Sequence, residues 1–167
     1  VHIELDNHKS LKEYFSGSSF SGFRQSFHDQ IEKRIAGIDG KIWMWNDFGG
    51  LILFPFNGKK CPAIELFFKL YFENLFMSIE EMKLDFILSF KVAMHLGNTV
   101  YKQRGNTGTI VSDSINSIHH LGQKHIGAGR YVMTAEMKEF IPEYLKKFTA
   151  DGGEFECRQL IKFQKLV

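Results

Sequence analysis

Residues 41–56 constrain the fold most strongly, because two apolar, aromatic-rich runs flank a short polar connection there. The connection, residues 46–50, contains Asn, Asp and Gly, which supply the turn conformations of a short β-hairpin. The flanking runs are too hydrophobic for a half-exposed ribbon, so we expect the hairpin at the centre of a covered sheet. Asp47 would then lie at the tip of a buried hairpin. It is either an ordinary turn residue or a metal ligand on a rigid platform.

Composition bounds the class of protein. The 167 residues suffice for one domain with a proper core, and we interpret 1–167 as a single domain. The 17 Phe residues indicate a large aromatic core or an apolar interface. A net charge of +2 is too small to indicate nucleic acid or an anionic membrane as a partner. No apolar run reaches the roughly 18 residues of a membrane span.

The chain begins without Met, so we expect it to be a fragment of a longer protein. Cys61 and Cys157 are isolated and lack metal-ligand spacing, which favours a reduced, cytoplasmic compartment. A single disulfide between them stays open at this stage. The fragment could also be the cytosolic domain of a larger protein.

The order of predicted elements favours an α+β fold. It is a ferredoxin-like sheet core (βαββαβ) with helices packed mainly on one face and a C-terminal hairpin. Hydrophobic periodicity and end signals predict strands at 1–7, 86–96, 100–102, 109–111 and 130–133, and helices at 23–36, 63–82 and 112–125. A short helix capped by Thr134 follows, and Phe148 and 155–163 give the last strands, separated by 151–153.

Two acidic residues are predicted to meet at one edge of this sheet. Asp6 ends the first strand and Asp47 lies at the tip of the hairpin beside it. Paired carboxylates suit Mg²⁺ or Mn²⁺ bound to a triphosphate, since these ions take hard oxygen ligands and leave positions to water and phosphate. Taken singly, each Asp is an ordinary strand-end or turn residue.

Several short segments follow one another in a characteristic order. They are Leu5-Asp6, Asn46-Asp47 and residues 89–97, 111–121 and 129–134. Together they resemble the class III nucleotidyl cyclase (adenylate/guanylate cyclase) homology domain over essentially the whole chain. Each match is weak by itself, and the order of all five carries the resemblance.

The resemblance implies roles for four residues. Asp6 and Asp47 match the two acids that bind metal ions in that family, where the ions activate the ribose 3′-hydroxyl for attack on the α-phosphate. Lys91 matches a phosphate-contacting base in the central strand, and Asn116 matches the ribose-orienting Asn on a helix. The alternatives are a lysine reaching to water for Lys91 and a solvated helix position for Asn116.

The sequence departs from the family at other positions. His120 stands where the family has an Arg that stabilises transition-state charge, and a neutral imidazole cannot replace a charged planar fork. Trp43 stands at the purine-reading Lys, and Thr109 stands at its acidic partner. The late-hairpin phosphate Lys has no counterpart near residues 151–154.

These losses imply an incomplete active site, since cyclase sites are built at a dimer interface from two complementary halves. The leading interpretation is a non-catalytic or weakly active domain that serves nucleotide or metal binding, dimerisation or regulation in cyclic-nucleotide signalling. One alternative is an active half that supplies the metal site to a different cyclase-like chain. Another is a purely structural interaction domain. The implied partners are a homodimer or heterodimer mate and a nucleoside triphosphate, with Mg²⁺ or Mn²⁺ as cofactor if the site functions. Neither nucleic acid nor membrane contact is expected.

Overall fold

The computed structural model describes residues 1–104 and 107–164, with side chains for 1–99 and 112–164. The strands are β1 (His2–Leu5), β2 (Lys41–Asn46), β3 (Gly49–Leu53), β4 (Phe90–Met94), β5 (Val100–Arg104), β6 (Thr107–Val111), β7 (Tyr131–Thr134), β8 (Thr149–Phe155) and β9 (Arg158–Phe163). The helices are α1 (His8–Tyr14), α2 (Ser18–Ile35), α3 (Pro62–Phe76), α4 (Asp113–His120) and α5 (Glu143–Lys146). Short π-helical turns extend α3 over Met77–Glu81 and α4 over Leu121–His125, and a 3₁₀ segment spans Ala135–Phe140.

Seven strands form one sheet in the order β2-β3-β1-β4-β7-β9-β8, and β5 and β6 form a separate two-stranded hairpin. Strand β1 pairs antiparallel with both β3 and β4, while β4 and β7 are parallel. The α+β prediction with a C-terminal hairpin is therefore confirmed. The sheet places the end of β1 directly beside the hairpin of β2 and β3.

Helices pack on both faces of the sheet. On one face, alternate strand residues such as Ile3, Leu5 and Val92 join the main core with Phe27 of α2 and Phe67 of α3. On the other face, a smaller cluster packs under α4 and its π-helical turn; its members are Leu51, Ala93, Ile118, Leu121, Ile126, Val132 and Leu160. The sequence predicted helices mainly on one face, whereas α4 and its π-helical turn also cover the other face.

The hairpin of β2 and β3 lies at the edge of the sheet, so its predicted position at the centre is wrong. Strand β2 is the edge strand, and Met44 and Asp47 are exposed. Trp45 made β2 look like a central strand, but this side chain packs against a helix on one face of an edge strand. Trp45 contacts Phe27 and His28 of α2, at ring-centroid distances of 5.8 Å and 5.2 Å.

The last hairpin turns at Glu156 and Cys157, which both adopt positive φ angles, and not at residues 151–153 as predicted. Residues 151–153 lie inside β8, where a bulge shifts the register between Asp151 and Gly153. Asp and Gly tolerate bulge and turn conformations alike, so their presence does not distinguish the two.

Helix ends follow the sequence more closely. Pro62 begins α3, and Ser112 caps α4, its side chain accepting a hydrogen bond from the Ser114 N–H at 3.1 Å. Thr134 precedes the 3₁₀ segment without a side-chain cap. Within the described ranges, no helix combines the length and apolar character needed to cross a bilayer.

Candidate functional site

The tip of the β2–β3 hairpin is a two-residue turn. Asn46 pairs with Gly49 across the hairpin, which leaves Asp47 and Phe48 as the turn residues. The Asn46 side-chain oxygen accepts hydrogen bonds from the N–H groups of Phe48 at 2.8 Å and Gly49 at 3.1 Å. The Leu5 N–H donates to the Phe48 carbonyl at 2.7 Å, so the end of β1 is bonded to the turn. Backbone pairing alone therefore brings the segments of Asp6 and Asp47 side by side.

Asp6 is buried, and two donors hold one of its carboxylate oxygens. Its Oδ2 accepts a hydrogen bond from the Ser89 hydroxyl at 2.7 Å and another from the Gly129 N–H at 2.6 Å. These donors come from the loops before β4 and before β7, so the carboxylate joins three neighbouring strands. Only 8% of the residue is exposed. A carboxylate fixed in this way has a defined direction, which a structural role and a ligand role both require.

Asp47 is exposed, and its carboxylate forms an ion pair with the Arg24 guanidinium of α2. Arg24 also lies 5.2 Å from the centre of the Phe20 ring, which fixes the direction of its side chain. The hairpin tip and α2 enclose a cavity of about 300 Å³ that includes Arg24 and Asp47 in its lining. This volume is at the small end of the range for ligand pockets.

Mg²⁺ or Mn²⁺ ions at these two acids would compete with partners that the acids already have within the chain. Such ions need free carboxylate oxygens, but Asp47 is already paired with a cation and one oxygen of Asp6 accepts two hydrogen bonds. The ion pair uses Asp47 Oδ1, and because both side chains are partly exposed it is a weak pair that a metal ion could replace. Arg24 therefore competes directly with metal binding at the hairpin tip.

Lys91 belongs to a polar cluster on the α4 face of the sheet. Its Nζ lies 3.6 Å from Glu4 Oε2 on the adjacent strand, and its side chain is 13% exposed. The same Glu4 carboxylate is 3.3 Å from the His8 imidazole and 3.7 Å from His2. Lys91 is therefore neither at a sheet edge nor reaching freely to water. Its charge is balanced by Glu4 within the chain.

His2 is buried in this cluster and is neutral at physiological pH. Burial first, and then the neighbouring His119 and Lys91 side chains, lower the pKa of His2 to about 3. The side chain packs against Gly122 of the π-helical turn, where an added Cβ would come within 2.1 Å of Nδ1. The contact between His2 and Glu4 is consequently not an ion pair at neutral pH.

We expect His2 to make folding stability fall in acid. The unfolded chain binds a proton at His2 as the pH drops through about 6.5, whereas the folded chain does not until about 3. The loss between pH 7.5 and pH 4.5 should be about 3 kcal/mol. Urea unfolding at both pH values, compared between wild type and His2→Gln, measures it. A variant that keeps the full wild-type loss would contradict the assignment.

The residues expected to serve a partner's site lie on three different elements, α4, β2 and β6. Asn116 is exposed, and His120 is 3.7 Å from the Glu156 carboxylate in the β8–β9 turn. Glu156 also accepts a hydrogen bond from the Ser117 hydroxyl at 3.2 Å. Trp43 is half-buried at a bulge of β2, between Ile42 and Met44. Thr109 lies in β6, and its side chain is outside the described residues.

Sequence reasoning missed the residues that hold the two acids. Ser89 and Gly129 contact Asp6, and Arg24 contacts Asp47, yet each lies more than 20 residues from its partner in the chain. It also missed α1, which places His8 in a stack on Phe48, with ring centroids 3.7 Å apart. Gly129 carries a weak signal, since its φ of 63° suits a glycine turn before β7.

Comparison with solved structures shows which fold this is. The catalytic core of a rhodopsin-guanylyl cyclase with converted specificity, in complex with ATPαS, aligns with a TM-score of 0.68 and 10% identity, over 98% of this chain and 92% of that one. The guanylate cyclase domain of RhGC from Catenaria anguillulae, in complex with GTP, gives 0.65 and 10% identity over 98% and 93%. A bacterial light-regulated adenylyl cyclase gives 0.62 and 11% identity over 99% and 51%.

The chain therefore has the fold of the class III nucleotidyl cyclase catalytic domains, as the resemblance predicted. No family model matches the sequence, and no curated protein matches it. Sequence identities of 9–12% show the fold alone, so activity has to be argued from the residues.

Proposed function

We propose that this domain is a nucleotidyl cyclase-like module that does not form cyclic nucleotides by itself and serves dimerisation or regulation in cyclic-nucleotide signalling. The ion pair between Arg24 and Asp47 carries the proposal, because it places a protein cation on a carboxylate that a catalytic metal would need. The proposal is also supported by His120, which stands where the resembled family has an Arg that stabilises transition-state charge. One missing charge-stabilising donor costs roughly 10²–10³ in rate.

The similar solved structures support a dimer mate and a nucleotide as partners of the domain. Two of the solved cyclase domains carry GTP or ATPαS, and a guanylyl cyclase domain of the RhoGC fusion protein from Blastocladiella emersonii is dimeric. We therefore propose a second cyclase-like chain as the dimer mate and a nucleoside triphosphate as the ligand that such a dimer would bind. Trp43 at the purine-reading position disfavours ordinary selection between ATP and GTP.

A cyclase assay tests the proposal directly. The purified domain is incubated with ATP or GTP and Mn²⁺, and cyclic nucleotide is measured by mass spectrometry. We expect no product above the blank for the wild type. We expect none for Arg24→Gln either, because releasing Asp47 does not restore the missing Arg. Product from the wild type that disappears in Asp47→Ala would overturn the proposal.

The second candidate is an active half of a heterodimer. The anchoring of Asp6 by Ser89 and Gly129 favours it, because a preorganised acid is what a donated metal site requires. Mixing the domain with a guanylyl cyclase domain that has been inactivated by substitution of its own metal acids distinguishes the candidates. Activity that appears on mixing and is lost with Asp47→Ala supports the heterodimer. Unchanged background supports the non-catalytic module.

A further inference from the structure

One stripe of α2 carries polar side chains towards the hairpin. Arg24, His28 and Glu32 follow at intervals of four residues and therefore lie on the same side of the helix. Arg24 holds Asp47, and the next turn brings His28 edge-on against Trp45 of β2, with ring centroids 5.2 Å apart. Asp29 adjoins His28, so an imidazole and two carboxylates come together one turn below the hairpin tip.

The distances among these three groups suit ligands of one ion. His28 Nδ1 is 3.6 Å from Asp29 Oδ1 and 3.9 Å from Glu32 Oε2, and one ligand atom from each residue lies within 4.8 Å of the others. Ligand atoms that share a zinc-sized ion at about 2.1 Å lie roughly 3.4 Å apart in a tetrahedral site. The side chains of Asp29 and Glu32 are 57% and 62% exposed, so they can rotate inwards by the small difference.

The state of His28 gives a second observation. Its Nδ1 is sealed from solvent and has no hydrogen-bond partner among the described residues, although the two carboxylates lie beside it. A buried polar atom without a partner costs about 1–3 kcal/mol, and an ion bound to Nδ1 removes that cost. Asp29 also has an outer partner, because the Gln25 amide donates to its Oδ1 at 2.7 Å. Such partners orient metal-binding carboxylates.

We propose that His28, Asp29 and Glu32 bind a divalent transition-metal ion of the zinc class, with water in the remaining positions. One imidazole nitrogen with two carboxylates favours Zn²⁺, Co²⁺ or Ni²⁺ over Mg²⁺. The site uses neither Asp6 nor Asp47, and it does not depend on cyclase activity. A bound ion fixes α2 beside Trp45, one turn from the Arg24 that holds the hairpin.

Trp45 provides the readout. The chain has two Trp residues, so Trp43→Phe leaves Trp45, beside His28, as the single Trp whose emission is followed. We expect Ni²⁺ to quench its fluorescence saturably, with recovery on adding EDTA. His28→Gln and Glu32→Gln in this background should each weaken the apparent affinity at least about tenfold, since outer-partner losses alone cost 10–100-fold. Calorimetry with Zn²⁺ on the chain with both Trp residues checks the same affinities without the Trp43 change.

Two control variants locate the ion. His125→Gln removes a histidine of the second helical layer, and Asp47→Asn removes the exposed acid of the hairpin; both should bind as the wild type does. Equal quenching in His28→Gln and wild type would overturn the proposal. So would binding that survives His28→Gln but is lost in Asp47→Asn, because the ion would then lie at the hairpin tip. Circular dichroism checks that each variant folds. If His28→Gln unfolds, the Glu32→Gln variant still tests the site, because Glu32 is exposed.

Discussion

Gly49→Ala is expected to destabilise the domain by about 3 kcal/mol or more, which is at the upper end for single substitutions. Gly49 pairs with Glu4 at the start of β3, where its φ is 151° and a Cβ would lie 2.1 Å from the Ile3 carbonyl oxygen. The atom met is backbone of a central strand, so no side-chain rotation relieves the clash. The hairpin must move away from β1, and the segments of Asp6 and Asp47 then separate.

Gly22→Ala is the matched control. Gly22 lies within α2, and a Cβ there meets nothing within 4 Å. Alanine in an open helical position should stabilise the domain by about 0.5–1 kcal/mol. Urea unfolding of both variants measures the two effects with opposite signs. A Gly49→Ala variant as stable as wild type would refute the close approach of β3 to β1.

Arg34→Met is expected to cost about 3 kcal/mol, because it breaks a buried ion pair that joins α2 to the turn after α3. The Arg34 side chain is 5% exposed, and its guanidinium lies 2.6 Å from Glu81 and 3.4 Å from Glu73. Burial raises the pKa of Glu81, but hydrogen bonds from Lys33 and Arg34 outweigh it and lower the pKa overall. Loss of Arg34 leaves Glu81 with Lys33 alone.

The double variant Arg34→Met/Glu81→Leu separates the pair from the packing. It removes the stranded carboxylate, so it should recover part of the stability lost in Arg34→Met. The exposed pair of Lys69 and Glu65 provides a comparison, and Lys69→Met should cost no more than about 0.5 kcal/mol. Thermal unfolding followed by circular dichroism ranks the three. A double variant less stable than Arg34→Met would show that Glu81 is stabilising without Arg34.

Local sequence signals predicted the elements because those signals act over a few residues. Asn46 and Gly49 determine the hairpin turn, Pro62 begins α3 and Ser112 caps α4. Their conformational preferences operate without the rest of the chain. The helical segments that begin with α3 and α4 end at Glu81 and His125, within one residue of the predicted ends, although their last turns are π-helical and no local signal predicted that geometry.

Strand order and side-chain partners could not be predicted in the same way, since they depend on pairing between distant segments. Aromatic residues occur in central strands covered on both faces and also in edge strands that pack against a helix. Residues 41–56 therefore do not indicate by themselves whether β2 is a central or an edge strand. In the sequence, Arg24 is one of several charged residues on an amphipathic helix, and only the fold places it beside Asp47. The roles of Lys91, Asn116 and His120 stay predictions from the resemblance.

The place of β1 between β3 and β4 also bears on biosynthesis. His2 pairs with Ala93, so β1 lacks one of its two neighbours until roughly 90 more residues have been made. At roughly 5–20 residues per second, that wait is on the order of 5–20 s. During that interval one edge of β1 has no strand to pair with, and an unpaired strand edge is a template for association with other chains.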